Sequence, residues 1–277
     1  MKLFYRRYGD KGAQPLIILH GLFGISDNWV SYGKRIADEG FDVIIPDQRN
    51  HGQSSHSDVF NYLALTDDLL ELIDQENLEQ TLLLGHSMGG KVAMRFALEN
   101  PAIVKRLIVV DIGLKAYGSR PHHRNIIEAM QNTDLSRYNS RSEIEQQLAQ
   151  RITDVRIRQF LMKNLHWKEK NLLEWRINLE GISKNLHQMF DAISPVSPYI
   201  KPCLFVRGGQ SDYILPEDYA EIRKGFPYAE IMTIESASHW VHAEAPEQFY
   251  LITSGFLTGN PGWYQEMEQH GLQMEGE

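Results

Sequence analysis

The sequence has little of several features on which whole classes of protein depend. Cys203 is the only cysteine among 277 residues, so no intrachain disulfide can form and a reducing compartment is expected. It stands within the apolar segment KPCLFVRGG, where a thiol usually packs rather than reacts. The 28 Lys and Arg residues are outnumbered by 36 Asp and Glu residues, and no dense basic block occurs. This balance argues against nucleic acid or an anionic membrane as a partner.

Long apolar runs and cofactor motifs are also missing. The longest runs, PLIILHGLFG and RLIVVDIGL, are far shorter than the roughly 20 residues of a membrane-spanning helix. The N-terminal MKLFYRRYGDKG is charged where a signal peptide needs apolar residues. No zinc-type Cys or His spacing, dinucleotide-binding glycine motif or Walker-type loop is found. We therefore expect a cytoplasmic chain without membrane insertion, metal or cofactor.

What the sequence does contain is an alternation of short apolar segments with segments of helical period. Helical periodicity covers residues 28–39, 61–75 and 89–99, and LFYRRYGD at the N-terminus predicts an antiparallel edge strand. Six segments that are apolar on both faces, as parallel strands between two helical layers are, predict strands: PLIILHG, DVIIPD, TLLLGHS, RLIVVDI, CLFVRGG and AEIMTIE. The pattern predicts an α/β fold with a mostly parallel, doubly wound sheet.

One interval interrupts this alternation. Residues 114–195 show no strand pattern, only charged amphipathic segments such as RSEIEQQLAQRI and LLEWRINLEGISKNLHQMF. We interpret them as a helical cap inserted after the strand that ends near Asp111, with residues 1–113 and 196–258 forming the core. The tail, residues 259–277, is expected to be loosely ordered.

The segment GHSMG, residues 85–89, matches the Gly-x-Ser-x-Gly pattern between a predicted strand and a predicted helix. A strand that turns at once into a helix holds Ser87 in a strained conformation, and side chains at positions 85 and 89 would collide with neighbouring elements. The same turn directs the helix N-terminus, with its unpaired N–H groups, at the serine. Ser87 is therefore the candidate nucleophile.

A serine nucleophile needs a base and a group to orient that base. His239 follows the last predicted strand and is the best candidate among eleven histidines, whereas His242 is expected to cap or pack and His20 and His86 to bond the local backbone. Two aspartates at strand ends are candidates for the acid, Asp111 after the fourth predicted strand and Asp212 after the fifth. The residues alone do not choose between them.

An oxyanion hole requires two N–H donors aimed at developing negative charge. Met88, directly after the serine, would supply the first from the helix N-terminus. The second is expected from the turn LHGLFG, where Leu22 is the preferred donor and Phe23 the alternative.

Five segments together carry a resemblance: LHGLFGISDNW, IIPDQRNHGQSSHS, LLLGHSMGGKVAM, VVDIG and ASHWVHAEAPEQF. They resemble the α/β-hydrolase superfamily, and in particular the YbfF-type esterases. The resemblance implies Ser87 as nucleophile, His239 as base, Asp111 as the favoured acid and Ser211 as a hydrogen-bonding helper. Asp212 stands where the wider superfamily usually has its acid, so it remains the alternative.

The predicted function is a serine carboxylesterase or thioesterase that cleaves short- to medium-chain acyl esters or acyl-CoA thioesters through an acyl-enzyme, as a monomer or homodimer. Phe23 and Trp240 are expected to contact the substrate. Met162, Trp167, Trp175 and Met189 either line an acyl pocket or pack the cap. A carbon–carbon bond hydrolase and an acyltransferase remain alternatives, as does a pseudo-hydrolase that only binds ligands. Serine at position 87 argues against dehalogenases and epoxide hydrolases, which need a carboxylate nucleophile.

Overall fold

A seven-stranded sheet forms the centre of the molecule. The computed structural model describes residues 1–118, 121–170 and 172–260. The strands are β1 (Tyr5–Tyr8), β2 (Gln14–Leu19), β3 (Phe41–Pro46), β4 (Thr81–His86), β5 (Val104–Val110), β6 (Leu165–Glu169), β7 (Leu172–Trp175), β8 (Cys203–Gly208) and β9 (Ala229–Ile234). The order in the large sheet is β1-β3-β2-β4-β5-β8-β9. All neighbouring pairs are parallel except β1 and β3, so the predicted mostly parallel sheet with an antiparallel edge strand is confirmed.

Helices cover both faces of this sheet because its strands are apolar on both sides. Residues of α2 and α3 share one core cluster, represented by Leu69 and Phe96, while α1 and α10 bury Ile36 and Phe249 in the other. The α-helices are α1 (Val30–Asp38), α2 (Tyr62–Gln75), α3 (Met88–Glu99), α4 (Pro121–Gln131), α5 (Arg141–Ala149), α6 (Val155–Met162), α7 (Leu179–Asn185), α8 (Tyr219–Gly225), α9 (Val241–Glu244) and α10 (Pro246–Thr258). In the part of the chain that is described, none of them has the length and apolar character needed to cross a membrane.

The segment between β5 and β8 contains α4 to α7 and is not purely helical. The expectation that no strand occurs there was wrong, because β6 and β7 form an antiparallel hairpin in which Trp167 pairs with Leu173. Lys168 and Glu174 form an ion pair across this hairpin with a nitrogen–oxygen distance of 3.1 Å. A short pattern of apolar and charged residues is compatible both with an amphipathic helix and with a pair of antiparallel strands that form cross-strand contacts. The sequence pattern therefore did not distinguish the two. The prediction of a loosely ordered tail concerns residues 259–277. Those after Asn260 lie outside the described residues.

A buried lysine ties both ends of the inserted segment to the sheet domain. Lys91 of α3 is fully buried, and its ammonium group donates to the carbonyl oxygens of Leu114 (3.2 Å), Lys115 (2.6 Å) and Asp191 (2.7 Å). Leu114 and Lys115 begin the segment, whereas Asp191 lies near its end. One side chain of the helix that follows Ser87 therefore holds both junctions.

Candidate active site

Ser87 lies at a sharp turn between β4 and α3. Its φ of 53° is in the left-handed region, which costs a non-glycine residue of order 1–3 kcal/mol. A Cβ added at Gly85 would lie 2.2 Å from the carbonyl oxygen of Gly89, and one added at Gly89 would lie 2.4 Å from that of Leu19. The predicted collisions at both glycine positions are therefore confirmed. The turn exists only because neither position carries a side chain.

The hydroxyl of Ser87 is directed at a histidine rather than at its own helix. Ser87 occupies the N-cap position of α3, yet its side chain makes no capping hydrogen bond. Its Oγ lies 3.0 Å from Nε2 of His239, which follows β9. A serine at an N-cap ordinarily bonds the helix backbone. Here the strained turn frees the hydroxyl for the imidazole.

His239 is held by two contacts to its imidazole and one to its backbone. Its Nδ1 lies 2.8 Å from Oδ2 of Asp111, and the ring of Tyr213 stacks on it at a centroid distance of 3.9 Å. The carbonyl oxygen of His239 accepts a hydrogen bond from Nε2 of His86 at 2.9 Å. With Nδ1 donating to the carboxylate, Nε2 is left to accept the serine proton.

Asp111 is completely buried at the end of β5, and like Ser87 it has a positive φ, of 49°. Its Oδ1 accepts from the backbone N–H of Gly208 at 3.0 Å, and its Oδ2 accepts from the hydroxyl of Ser211 as well as from His239. Asp212, the alternative acid, is exposed, and the ring nitrogens of His239 bond Asp111 and Ser87 instead. The structure thus places Asp111 against the imidazole and Ser211 against the carboxylate of Asp111.

Two buried histidines hold the turn between β2 and α1. Nδ1 of His51 donates to the carbonyl of Arg49 at 2.9 Å, so its Nε2 accepts the N–H of Phe23 at 3.2 Å. His20 likewise donates to the carbonyl of Gly21 at 2.9 Å and accepts the N–H of Gln48 at 3.0 Å. Burial lowers the pKa of His20 to about 4 and that of His51 to about 3, so both rings are neutral at pH 7.

These bonds bear on the choice of oxyanion donor. The N–H of Phe23 is engaged by His51, whereas the N–H of Leu22 precedes it in the same turn. A Cβ at Gly21 would lie 3.2 Å from Cβ of Ser87, so this turn passes directly beside the serine. Geometry therefore favours Leu22 over Phe23 as the partner of Met88.

Two chambers meet at Ser87. The outer chamber, about 230 Å³, is lined by His239 and by several rings, among them Phe23, Trp29, Phe160, Trp240 and His242. The inner chamber, about 30 Å³, is lined by Leu22 and Met88 and by buried side chains that include Tyr62, Ile112, Tyr117, Met189 and Tyr213. Phe23 and Trp240, the residues expected to contact substrate, thus lie in the outer chamber.

Other histidines behave partly as expected. His20 bonds the local backbone, and His242 packs against Trp29 with stacked rings 4.1 Å apart, as the sequence predicted. The prediction of a local bond for His86 was wrong, because its partner carbonyl is 153 residues away in the chain. Sequence reasoning also missed Tyr213 and Lys91. Lys91 follows the GHSMGG motif, but nothing in the sequence shows which carbonyls it reaches.

Comparisons with known proteins agree with this geometry. The family model of the α/β-hydrolase fold matches residues 14–139. The sn-1-specific diacylglycerol lipase ABHD11 of Danio rerio is 40% identical over 263 residues, covering 93% of this chain and 83% of that protein. Esterase YbfF of Escherichia coli is 29% identical over 233 residues, covering 84% of this chain and 89% of that protein.

Among solved structures, one described as a marine microorganism esterase has a TM-score of 0.88 and 43% sequence identity, covering 92% of this chain and 99% of that one. The fold, the elbow around Ser87 and these relatives all lead to one assignment. The chain belongs to the α/β-hydrolase family, as an enzyme of its esterase and lipase group that resembles the YbfF-type esterases.

Proposed function

We propose that this α/β hydrolase is a serine carboxylesterase or thioesterase that cleaves short- to medium-chain acyl esters or acyl-CoA thioesters. The observation that carries the proposal is the unbroken chain of hydrogen bonds from Ser87 Oγ through His239 to Asp111, with distances of 3.0 and 2.8 Å. A binding protein has no need for a strained serine, an imidazole nitrogen beside its hydroxyl and a buried carboxylate on the other nitrogen of that imidazole.

In the proposed mechanism, Oγ of Ser87 attacks the acyl carbonyl carbon while Nε2 of His239 takes the hydroxyl proton. The carboxylate of Asp111 fixes the imidazole and stabilises the imidazolium that forms. The N–H groups of Met88 and Leu22 hold the oxyanion. His239 then protonates the leaving oxygen or sulfur as its bond to the acyl carbon breaks. A water activated by the same imidazole releases the acid from Ser87.

The segment of residues 114–195 would act as a cap over this reaction. Ile157 and Phe160 of α6 line the outer chamber from above the sheet edge. Arg156 of the same helix forms an ion pair at 2.7 Å with Glu244, and Glu244 accepts the N–H of Ser238, the residue before His239. Cap and base are therefore linked, and Lys91 holds the junctions from below.

Labelling with a fluorophosphonate tests the nucleophile directly. We expect the native protein to be labelled and Ser87→Ala to be unlabelled, with Ser183→Ala, an exposed serine of α7, as the matched control that retains labelling. Hydrolysis of p-nitrophenyl esters and acyl-CoA thioesters should disappear in Ser87→Ala alone. A native protein that neither labels nor hydrolyses any of them would instead be a ligand-binding relative.

A further inference from the structure

We propose that the inner chamber receives the acyl group and the outer chamber the leaving group, so that the preferred substrates are esters or thioesters of two- or three-carbon acids with a large alcohol or thiol. This inference rests on the proposed function and narrows its substrate class. The hydrogen-bonded residues at Ser87 would by themselves act equally well on short and medium acyl chains, so the preference for short chains comes from the shape of the chambers.

The position of His239 decides which chamber is which. After attack, the bond between the acyl carbon and the leaving atom breaks, and the proton on Nε2 moves to that leaving atom. The leaving atom must therefore lie within hydrogen-bond reach of Nε2. His239 lines the outer chamber, whereas the inner chamber is lined by Ser87 without His239. A leaving group directed into the outer chamber is the one that can be protonated.

The candidate oxyanion donors support the same orientation. Met88 lines the inner chamber, and Leu22 lines both chambers. With the carbonyl oxygen on these two N–H groups and the leaving atom toward His239, the remaining substituent of the tetrahedral carbon is the acyl chain. The inner chamber is the space left for it.

The size of the inner chamber limits the acyl chain. Its volume of about 30 Å³ accommodates one or two groups of the size of water, which corresponds to the carbons of an acetyl or propionyl group. The outer chamber is about eight times larger, at 230 against 30 Å³. An acyl chain of six or more carbons does not fit the inner chamber without movement of its walls.

Hydrogen bonds hold those walls in place. The hydroxyl of Tyr62 donates to the carbonyl of Met189 at 2.8 Å, and that of Tyr117 donates to the carbonyl of Tyr213 at 2.7 Å. All four residues are buried, with relative exposures of 5 to 7%. Ile157, Phe160 and Trp240 of the outer chamber are partly exposed, as are His123 and Phe190 of the inner chamber. The difference in volume is therefore what separates the chambers: the outer one has room for a large leaving group, whereas the inner one has room for a short acyl chain.

A series of p-nitrophenyl esters with acyl chains from acetyl to octanoyl tests the assignment, because the leaving group is constant. We expect kcat/KM to be highest for acetyl or propionyl and to fall about tenfold or more for the first methylene that overfills the chamber. A second series of acetyl esters, with primary alcohols of similar acidity from ethanol to octanol, should show kcat/KM unchanged or rising with alcohol size.

Met189→Ala removes a flexible side chain from the inner wall and should move the optimum to longer acyl chains. Met189→Leu, similar in volume, is the matched control and should keep the native optimum. Phe160→Ala alters the outer chamber, so it should change the dependence on the alcohol and leave the acyl optimum in place. If Met189→Ala does not fold, the two native substrate series decide the question by themselves.

Preference of the native enzyme for octanoyl over acetyl esters of the same alcohol would overturn the assignment. An acyl optimum that moves in Phe160→Ala but not in Met189→Ala would reverse the two chambers. Failure of the native protein to hydrolyse any ester or thioester would instead contradict the proposed function on which the inference depends.

Discussion

The two edges of the central sheet both carry buried carboxylates, but they use them differently. At the amino edge, Asp42 begins β3 and forms a two-pronged ion pair with Arg7, and Glu76 completes the cluster beside Arg7 and Tyr5. At the carboxyl edge, Asp111 has an imidazole, a hydroxyl and a backbone N–H as partners. A carboxylate bound to a guanidinium is committed to structure, whereas one bound to an imidazole can assist a proton transfer.

Cavity size does not separate these two edges. The amino edge has an open cavity of about 560 Å³ lined by Arg7, Asp42, Glu76 and neighbouring charged residues, more than twice the volume of the outer chamber. Of the described residues that line the amino-edge cleft, none is a serine or a histidine. Parallel sheets place their sites beyond the carboxyl ends of the strands, where turns such as that of Ser87 lead into helix N-termini. Chemistry and backbone direction, rather than volume, mark the site.

The largest expected effect is the loss of kcat in Asp111→Asn, at the carboxyl edge. The amide cannot hold His239 in the tautomer that accepts the serine proton, so kcat should fall by on the order of 10⁴ with little change in folding. Steady-state hydrolysis of p-nitrophenyl acetate measures this. Asp212→Asn changes the exposed alternative acid in the same way and is the matched control, which should change kcat less than tenfold. A collapse of kcat in Asp212→Asn instead would transfer the acid role.

The corresponding change at the amino edge, Asp42→Asn, should affect stability and spare catalysis. It leaves the guanidinium of Arg7 without its main carboxylate partner, which should lower the free energy of unfolding by about 2 kcal/mol, since Arg7 remains partly exposed. Urea denaturation gives the stability and the ester assay gives kcat. A marked loss of kcat at native stability would show that the two edges are not functionally distinct.

Loss of the hydrogen bond from the N–H of Phe23 to His51 should lower kcat less than the substitution of Asp111 does. His51→Leu leaves the buried N–H of Phe23 without its acceptor, and we expect kcat to fall about 10- to 100-fold while KM changes little. His51→Gln keeps a side-chain acceptor and should retain more activity than His51→Leu. Equal activity in the two variants would show that the hydrogen bond to Phe23 does not position the turn.

The buried histidines of the carboxyl edge also make stability depend on pH. Burial lowers the pKa of His20 to about 4 and that of His51 to about 3, against about 6.5 in an unfolded chain. Between pH 6.5 and 4 the unfolded state binds more protons, so the free energy of unfolding should decrease as the pH falls through this window and keep its full value above it.

Each such histidine contributes up to about 1.4 kcal/mol per pH unit within that window. Urea denaturation at several pH values between 4 and 7.5 measures the slope. His51→Leu removes one titrating group and should flatten it, with the exposed His187→Gln as the matched control for loss of an imidazole. An unchanged slope in His51→Leu would show that His51 is not the group that resists protonation.

Prediction from sequence succeeded where a local pattern carries the physical constraint. The apolar runs specify the strands of the sheet because both faces of β2 to β5 are covered, and the two glycines around Ser87 specify the elbow because no side chain fits at either position. Prediction from sequence missed the hairpin within Leu165–Trp175. The nine charged and apolar residues of this segment fit a helical period as well as a strand period.

The strands of the main sheet and the turn that exposes Ser87 could be predicted from the sequence alone, because each depends on residues that are close in the chain. His239 could be singled out from its place after the last predicted strand. The folded chain was needed to show that Nδ1 of His239 bonds Asp111, that His51 bonds the N–H of Phe23, and that an inner and an outer chamber meet at Ser87. These outcomes depend on distances between residues up to 128 positions apart, and such distances are set by packing of the whole sheet rather than by any local pattern.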